Sequence, residues 1–337
     1  MGEFQLNSVA ELGERKIIDI ILGCLDLMPN ILIPFGDDVS AVNIEKGKLA
    51  VLKTDMLVSK TDVPLGMNLL QAARKAVVIN ISDLAAKGVA PIAVLASLGV
   101  PRNFNEKDIE QIGIGLNAGA REYDAYVLGG DTSEASDLVI SCAVFGIGEK
   151  KRIMLRSGAK PGDIVAVTGS FGKTSAGLKI LLKNLSVPTR LRRRLVGNVL
   201  MPRARLDEGL ALAQTGAVTA AIDSSDGLAW SLHEISRASG VGLEISNLPI
   251  ADEVSEFAKM YKFDPVELGL YGGEEYELAV TVKPRLWKKV SEKVSLIRIG
   301  QVIEEKALVL KMGKKTSSIE ARGWEHFKTS LAESYSR

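Results

Sequence analysis

Six short acidic motifs recur along the chain, and they hold the side chains most able to do chemistry. They are Gly36-Asp37-Asp38, Thr54-Asp55, Ser82-Asp83-Leu84-Ala85-Ala86, Gly129-Gly130-Asp131-Thr132, Asp223-Ser224-Ser225-Asp226-Gly227 and Gly273-Glu274-Glu275-Tyr276. Carboxylates drawn together from distant parts of a chain repel one another unless a cation holds them. Mg²⁺ is commonly bound through carboxylates together with substrate phosphates. The motifs therefore predict a metal-dependent reaction of phosphates.

Three of these carboxylates, Asp55, Asp131 and Asp223, follow apolar runs that are typical of strands. An Asp at the end of a strand is often only a turn residue or a helix cap. In layered sheets, however, the same position opens onto a crevice where ligands bind. With three such residues, two of them in glycine-flanked motifs, metal ligation is the better interpretation.

Asp83 lies on a largely apolar helix that is predicted over residues 69–86 and ends at Gly88. Asn80, Asp83 and Lys87 are spaced to form one polar stripe on this helix. One interpretation is an ion pair between Asp83 and Lys87, four residues apart, which contributes only a few tenths of a kcal/mol. A buried carboxylate is costly unless it is paired or bound to metal. The apolar surroundings favour a buried ligand.

Two motifs carry two carboxylates each, and the sequence does not decide which member of each pair binds metal. Asp37 and Asp38 are adjacent, so in an extended chain they point to opposite faces. One is expected to ligate metal while the other binds backbone. Asp223 and Asp226 either converge on one ion across a turn, or Asp226 caps the helix that begins at Gly227.

Helices and strands alternate in both halves of the chain, which predicts a mixed α/β or α+β fold. Helices are predicted over residues 11–25, 69–86 and 227–238 and from Asn105, and strands over residues 49–52, 126–128, 138–145, 164–167 and 218–222. Charged, turn-rich stretches at residues 149–152 and 160–163 predict a domain boundary. The predicted domains are therefore residues 1–150 and 151–337.

Composition argues against several other functions. The formal net charge is +1, and the one basic run, Arg190 to Arg194, is interpreted as a solvated helix face, so no nucleic-acid partner is expected. Residues 169–174 end in Gly-Lys-Thr, but Val167 stands where a phosphate-binding loop requires glycine. The start of the chain lacks the pattern of a signal peptide, and no apolar run is long enough to span a bilayer. A cytoplasmic location without a membrane partner is expected.

Taken together and in order, the motifs resemble thiamine-monophosphate kinase, a family in the superfamily of aminoimidazole ribonucleotide synthetase and selenophosphate synthetase. The matching segments are Gly2-Glu3-Phe4, the motifs at residues 36–38, 54–58, 80–88 and 129–132, Arg156-Ser157-Gly158-Ala159, and residues 223–228, 272–278 and 323–327. The resemblance implies an α+β, two-domain, aminoimidazole ribonucleotide synthetase-like fold. It also implies a homodimer whose N-terminal domains, residues 1–150, pair and bind ATP and Mg²⁺, while residues 151–337 complete the active site.

The resemblance further implies a kinase that transfers the γ-phosphoryl of ATP to thiamine monophosphate, with several Mg²⁺ ions bridging the phosphate chains. The implied metal ligands are Asp37, Thr54, Asp55, Asp83, Asp131, Asp223 and Asp226, of which Asp131 and Asp223 are assigned to catalysis. The implied ATP contacts are Gly130, Asp131, Arg156 and Ser225. The acceptor contacts expected by analogy are Asp62, Glu274 and Trp324.

The chemistry that the residues permit agrees with this. A phosphate oxygen with a pKa near about 6 is anionic at neutral pH, so no general base is needed, and the chain contains only two histidines. Asp62 stands where bacterial members carry a His, and Glu275 where an Asp is more usual. The alternatives are another ATP-dependent enzyme of the superfamily, or a nucleotide-binding relative without turnover. Trp324 has an alternative role as a structural anchor of the C-terminal segment.

Overall fold

A computed structural model describes residues 8–26, 28–33 and 35–327, so the Gly2-Glu3-Phe4 segment lies outside the described residues. The helices are α1 (Val9–Leu12), α2 (Glu14–Leu22), α3 (Ser59–Asp62), α4 (Leu69–Lys87), α5 (Glu106–Arg121), α6 (Lys173–Leu182), α7 (Thr189–Leu200), α8 (Leu206–Thr215), α9 (Leu228–Ser239), α10 (Asp252–Tyr261), α11 (Pro265–Tyr271) and α12 (Trp287–Ser291). The strands are β1 (Ser40–Asn43), β2 (Lys48–Val58), β3 (Pro91–Val100), β4 (Tyr126–Glu134), β5 (Val139–Glu149), β6 (Ile164–Val167), β7 (Val218–Asp223), β8 (Gly242–Ile245), β9 (Leu278–Val282), β10 (Ile297–Ile303), β11 (Leu308–Met312) and β12 (Lys315–Ser318). The mixed helix and strand content is confirmed.

The strands form two sheets, one in each half of the chain. The first has five strands in the order β1-β2-β5-β3-β4, and the second has seven in the order β12-β11-β8-β10-β6-β9-β7. In the first sheet β2 runs antiparallel to β5 along its whole length, and β3 runs parallel to β4. The chain passes from the first sheet to the second between Glu149 and Ile164. The boundary between residues 150 and 151 stays a prediction.

Helix α4 lies between the two sheets and contacts β2, β5 and β7 as well as α5 and α8. It begins at a capping box in which Asn68 accepts the backbone N–H of Gln71, and it ends at Gly88 in the left-handed conformation (φ 67°). A Cβ added to Gly88 would meet the Cβ of Ala213 at 2.3 Å, so this position requires glycine. The helix predicted from the sequence is confirmed.

The largest hydrophobic core is shared by both halves of the chain. It combines residues of the first sheet and α4 with Ala221 of β7 and with Leu278, Val280 and Val282 of β9. The polar residues of α4 are buried at this junction: Asn80 and Lys87 are fully buried, and Asp83 is nearly so. The polar stripe predicted on the helix is therefore placed where the two sheets meet.

Three sequence predictions need correction. The single helix expected over residues 11–25 is divided into α1 and α2, because Gly13 adopts a non-helical conformation (φ 75°, ψ 163°). Strands β2 and β4 extend well beyond the predicted segments, so Asp55 and Asp131 lie inside strands and not at their ends. Continuous pairing with β5 and β3 carries both strands past these residues. Asp223 does end its strand, as expected.

Within the described part of the chain, no helix has the length and apolar character that crossing a membrane requires.

Candidate active site

Three buried carboxylates meet at the junction of the two halves. Asp38 precedes β1, Asp83 lies on α4 and Asp223 ends β7, and one oxygen from each lies within 4.8 Å of the others. Asp223 is fixed by the hydroxyl of Ser82, which donates a hydrogen bond to its Oδ2 at 2.7 Å. A set of three carboxylate oxygens at this spacing fits a hard divalent cation. We refer to Asp38, Asp83 and Asp223 as the acidic triad.

The pKa values of two members of the acidic triad, Asp83 and Asp223, are raised mainly by burial. Burial, together with the charge of Asp38, raises the pKa of Asp223 to about 6 against the opposing hydrogen bond from Ser82. Burial also raises the pKa of Asp83 well above its ordinary value, although Lys53 opposes the shift. A carboxylate whose pKa is raised by burial and by like charges is costly to ionise. A cation among them would remove this cost.

Three cationic side chains already lie around the acidic triad. Lys53 lies 3.1 Å from Asp83 and 3.9 Å from Asp55. Lys87 lies 2.5 Å from Asp37 and 2.7 Å from Asp38. The third is Arg156, whose Nε donates to Asp38 at 2.7 Å. The carboxylates around these three cations outnumber them, which favours the binding of a divalent ion.

Of the adjacent pair, Asp38 and not Asp37 belongs to the acidic triad. Asp37 accepts the backbone N–H of Arg156 at 3.0 Å and that of Asp38 at 2.8 Å. Burial alone would raise the pKa of Asp38, but Lys87 and Arg156 outweigh it and hold that pKa below its ordinary value. The expectation that one member binds backbone is met by Asp37. Its assignment as a metal ligand stays a prediction.

The other implied ligands occupy different positions. Asp55 is half exposed beside Lys53, and the hydroxyl of Thr54 donates to the carbonyl oxygen of Cys142 at 3.1 Å. Asp226 does not cap α9, because Gly227 is the N-cap residue and no side chain caps that end. Burial, followed by the charge of Glu14, raises the pKa of Asp226 to about 7. Asp226 is thus a half-buried carboxylate three residues after Asp223.

Gly130 and Asp131 lie apart from the acidic triad within one chain. They are on β4, at the free edge of the first sheet, where Asp131 is paired in register with Ser97. Three strand spacings, about 14 Å, separate β4 from β2. A Cβ on Gly130 would lie 1.7 Å from the carbonyl oxygen of Ala96, so only glycine fits there. The structure therefore does not join Asp131 to Asp83.

The two acidic loops of the second half are joined through their backbones. The N–H of Glu274 donates to the carbonyl of Ser225 at 2.6 Å, and that of Tyr276 donates to the carbonyl of Ser224 at 2.9 Å. Glu274 adopts a positive φ of 64°, an uncommon conformation that these contacts support. Its carboxylate forms an ion pair with the buried Lys75 of α4. The loop positions Glu274 next to Asp62, whose carbonyl accepts from Lys75 at 3.0 Å.

Glu275 explains why the Gly-Lys-Thr segment is not a phosphate loop here. The N–H of Thr174, in the first turn of α6, donates to Oε1 of Glu275 at 3.0 Å. A carboxylate of the protein therefore takes the position that an anion would occupy at a helix N-terminus. Burial raises the pKa of Glu275 to about 7 against this hydrogen bond.

A cavity of about 300 Å³ opens beside Glu274. Its lining includes all three predicted acceptor contacts, Asp62, Glu274 and Trp324, together with Tyr271, Lys179 and Arg322. The backbone N–H of Trp324 donates to the carbonyl of Asp226 at 3.1 Å, which attaches the C-terminal segment to the loop next to the acidic triad. Trp324 therefore combines a backbone anchor with a side chain that lines the cavity.

Arg156 lies at the acidic triad, where its guanidinium is occupied by protein acceptors. Besides Asp38 it contacts the carbonyl of Gly36 at 3.0 Å and Glu234 at 3.3 Å. Its side chain is only 20% exposed, so Arg156 is not an ordinary surface arginine. The predicted contact between Arg156 and ATP stays a prediction.

We expect Arg156→Ala to lower the free energy of unfolding by about 2–3 kcal/mol, because it removes one of the two cations that pair with buried Asp38. Arg237→Ala is the matched control, since Arg237 is largely exposed and contacts the same Glu234 at 2.6 Å. The control should cost less than about 1 kcal/mol. Urea unfolding in the presence of EDTA measures both, and equal losses would show that the Asp38 pair contributes little.

The charged residues that sequence reasoning missed share one property: their partners are distant in sequence. Lys53, Lys75 and Lys87 bind carboxylates that lie up to 199 residues away. Lys87 had a closer candidate partner in Asp83, four residues before it, but that carboxylate is paired with Lys53. For Lys75 and Lys87 the available signal was the presence of charged residues on an otherwise apolar helix, whereas Lys53 lies on β2 and had no such signal.

Comparison with known proteins identifies relatives of this chain. Residues 36–148 match the N-terminal domain of the AIR synthase related proteins, and residues 160–313 match their C-terminal domain. A thiamine-monophosphate kinase of Pyrococcus abyssi (strain GE5 / Orsay) is 40% identical over 294 residues, covering 86% of this chain and 90% of that protein. One of Aquifex aeolicus (strain VF5) is 33% identical over 325 residues, covering 94% of this chain and 99% of that protein.

One solved structure shares the fold of this chain over most of its length. The structure described as "AaThiL complexed with AMPPCP and TMP" superposes with a TM-score of 0.84 at 30% sequence identity. The match covers 96% of this chain and 100% of that one. The two proteins therefore share one fold over nearly all of the matched length.

Proposed function

The chain belongs to the thiamine-monophosphate kinase family of AIR synthase related proteins, and we propose that it transfers the γ-phosphoryl group of ATP to thiamine monophosphate. The observation that carries this proposal is the position of the acidic triad. It lies at the junction of the two halves, and the loops that hold Asp223 and Glu274 connect it to the cavity lined by Trp324.

In this reaction an oxygen of the acceptor phosphate attacks the γ-phosphorus in line, and the bond from that phosphorus to the β,γ-bridging oxygen breaks. The products are thiamine diphosphate and ADP. The attacking oxygen is already anionic at neutral pH, so no side chain has to remove a proton. The contribution of the protein is to position two anions and to balance their charge.

We propose that Asp38, Asp83 and Asp223 hold Mg²⁺, with Asp55 and Asp226 as further ligands. Bound Mg²⁺ neutralises the charge that accumulates on the phosphates. The carboxylate donors, their spacing within 4.8 Å and the raised pKa of Asp223 support this set. Ser225 and Arg156 are proposed to contact ATP from the same side. ATP is a cytoplasmic metabolite, so the reaction is proposed to occur in the cytoplasm.

A homodimer that pairs through the first sheet is also proposed. The side of this sheet that α4 does not cover exposes large apolar side chains, and β4 leaves one edge of the sheet unpaired within the described chain. These side chains are Leu52, Met56, Leu95 and Leu128. Exposed apolar area next to a free strand edge favours pairing with a second chain.

The assignment is tested by offering the purified protein Mg-ATP with one of three acceptors: thiamine monophosphate, thiamine or formylglycinamidine ribonucleotide. Chromatography then measures the phosphorylated product and ADP. Formation of thiamine diphosphate from the monophosphate alone is expected. Consumption of formylglycinamidine ribonucleotide, or binding of ATP without turnover of any acceptor, would contradict the proposal.

We expect Trp324→Ala to weaken binding of thiamine monophosphate by about 1–3 kcal/mol and to leave ATP binding almost unchanged. The acceptor has a flat pyrimidine and a cationic thiazolium, and both favour the face of an indole ring. Trp324→Phe is the control, because it retains an aromatic face and the backbone anchor. Isothermal calorimetry and thermal melting separate the two roles. A lower melting temperature with unchanged acceptor affinity would make Trp324 an anchor only.

A further inference from the structure

Lys87 is the most completely enclosed cation among the described residues of the acidic centre. Its side chain is 0% exposed, on the last turn of α4. The ammonium group contacts Asp37 at 2.5 Å, Asp38 at 2.7 Å and the carbonyl oxygen of Ala221 at 3.0 Å. The ammonium donates a hydrogen bond to the carbonyl of Ala221, and its contacts with Asp37 and Asp38 are ion pairs.

These contacts join three separate segments. Asp37 and Asp38 precede β1, Lys87 belongs to α4, and Ala221 lies on β7 two residues before Asp223. The segments are the same ones that supply Asp38, Asp83 and Asp223 to the acidic triad. The position of Lys87 is thus coupled to the geometry of all three candidate metal ligands.

We propose that Lys87 is a built-in cation of the acidic centre, a positioning residue that balances Asp37 and Asp38 and holds Asp38 in place for a metal ion. Two adjacent carboxylates at a buried site require a positive charge, which either an ion or a side chain supplies. Here the side chain of Lys87 supplies that charge to the Asp37–Asp38 pair. This inference rests on the proposed metal-dependent function.

Lys53 provides an informative contrast. It also contacts the acidic centre, through Asp83 at 3.1 Å, but its side chain is 21% exposed on β2. An exposed lysine can move into solvent when a metal ion takes over its carboxylate partner. Lys87 has no such path, because it is enclosed on a buried helix between the two sheets. Lys53 can therefore leave its carboxylate partner when a metal ion binds, whereas Lys87 stays at the acidic centre.

The test compares the melting temperatures of the nucleotide-free protein in EDTA and in Mg²⁺. The wild type is the reference, because Mg²⁺ should raise its melting temperature only by balancing Asp83 and Asp223. Lys87→Met should melt roughly 10 °C lower in EDTA. Mg²⁺ should recover at least half of that loss, because the ion then balances Asp37 and Asp38. Titration with Mn²⁺ monitored by electron paramagnetic resonance should show one additional bound ion in the variant.

Lys75→Met is the matched control. Lys75 lies on the same helix, is equally buried and also pairs with a carboxylate, Glu274, but that carboxylate is not part of the acidic triad. Its variant should lose stability by the same amount in EDTA and in Mg²⁺. The role proposed for Lys87 is overturned if Lys87→Met behaves in the same way and binds no additional Mn²⁺.

A second variant keeps the inference testable if Lys87→Met fails to fold. Lys87→Met combined with Asp37→Asn removes one positive and one negative charge together. It should be more stable in EDTA than Lys87→Met, and Mg²⁺ should raise its melting temperature less. A double variant no more stable than the single one would contradict the proposal. None of these measurements needs turnover. The role of Lys87 can therefore be contradicted while the protein still forms thiamine diphosphate, and the kinase assignment can be contradicted while the role of Lys87 stands.

Discussion

We expect Asp223→Asn to lower turnover by roughly 10²–10³-fold and, at the same time, to stabilise the metal-free protein. The loss follows because an amide is a weaker, uncharged ligand for Mg²⁺, and charge balance on the phosphates is the main contribution that the protein makes. Asn has nearly the same shape as Asp and retains an oxygen that accepts from Ser82, so the fold should persist. Activity and stability should therefore change in opposite directions.

The gain in stability has a defined dependence on pH. Burial raises the pKa of Asp223 from an ordinary value of 3.8 to about 6, so the folded state binds this proton more tightly than the unfolded chain. Below about pH 4 Asp223 is protonated in both states, so it costs no folding free energy. As the pH rises from there through the folded-state pKa, ionisation of Asp223 lowers the stability of the folded protein progressively. Above that pKa this cost amounts to about 3 kcal/mol. Asp223→Asn removes this cost at high pH and changes little at low pH.

Urea unfolding in EDTA, at about pH 4 and about pH 8, measures the effect. The variant should gain stability over wild type only at the higher pH. Ser82→Ala is a useful control, since it removes the donor at 2.7 Å from Asp223 and leaves the carboxylate in place. Normal turnover in Asp223→Asn would remove Asp223 from the metal site. A variant destabilised at both pH values would show that its carboxylate is already balanced without metal.

The parts of the fold that the sequence predicts are those set by local interactions. Helix α4 is encoded by an apolar run between Asn68, a good N-cap, and Gly88, whose left-handed conformation ends it. Strand β7 is equally local, because an apolar run ends directly at Asp223. Such elements need no knowledge of their partners. The predicted burial of Asp83 follows from the same apolar surroundings.

The features that were missed depend on pairing between distant segments. Nothing near Asp55 indicates that β2 continues to Val58, since that extension exists because β5 pairs with it along eleven positions. Likewise, Asp38 belongs to the acidic triad and Asp37 binds backbone because of contacts with Arg156 and Lys87, which lie on other segments of the chain. The sequence identifies the acidic groups, whereas the tertiary structure decides which of them face one another.

The position of Asp131 leads to the second large effect. Asp131 is exposed on β4, and no hydrogen bond or ion pair to another described residue involves its side chain. It shares a register row with Ser97, Ser141 and Met56, on the side of the sheet opposite Asp55 and α4. A carboxylate without internal partners contributes little to folding. We therefore expect Asp131 to act on a group that is brought to it, either the substrate phosphates with Mg²⁺ or a second chain.

We accordingly expect Asp131→Asn to melt at the wild-type temperature and to lose nearly all turnover, by about 10²-fold or more. The family resemblance assigns Asp131 to metal and ATP, and β4 is the free edge at which a paired chain would lie. Asp124→Asn is the matched control, because Asp124 is an exposed carboxylate that precedes β4 and has no assigned role. Steady-state assays at saturating Mg-ATP, with melting curves of both variants, measure the outcome. If Asp131→Asn keeps wild-type turnover, Asp131 is an ordinary surface carboxylate, and the metal site is limited to the residues around the acidic triad.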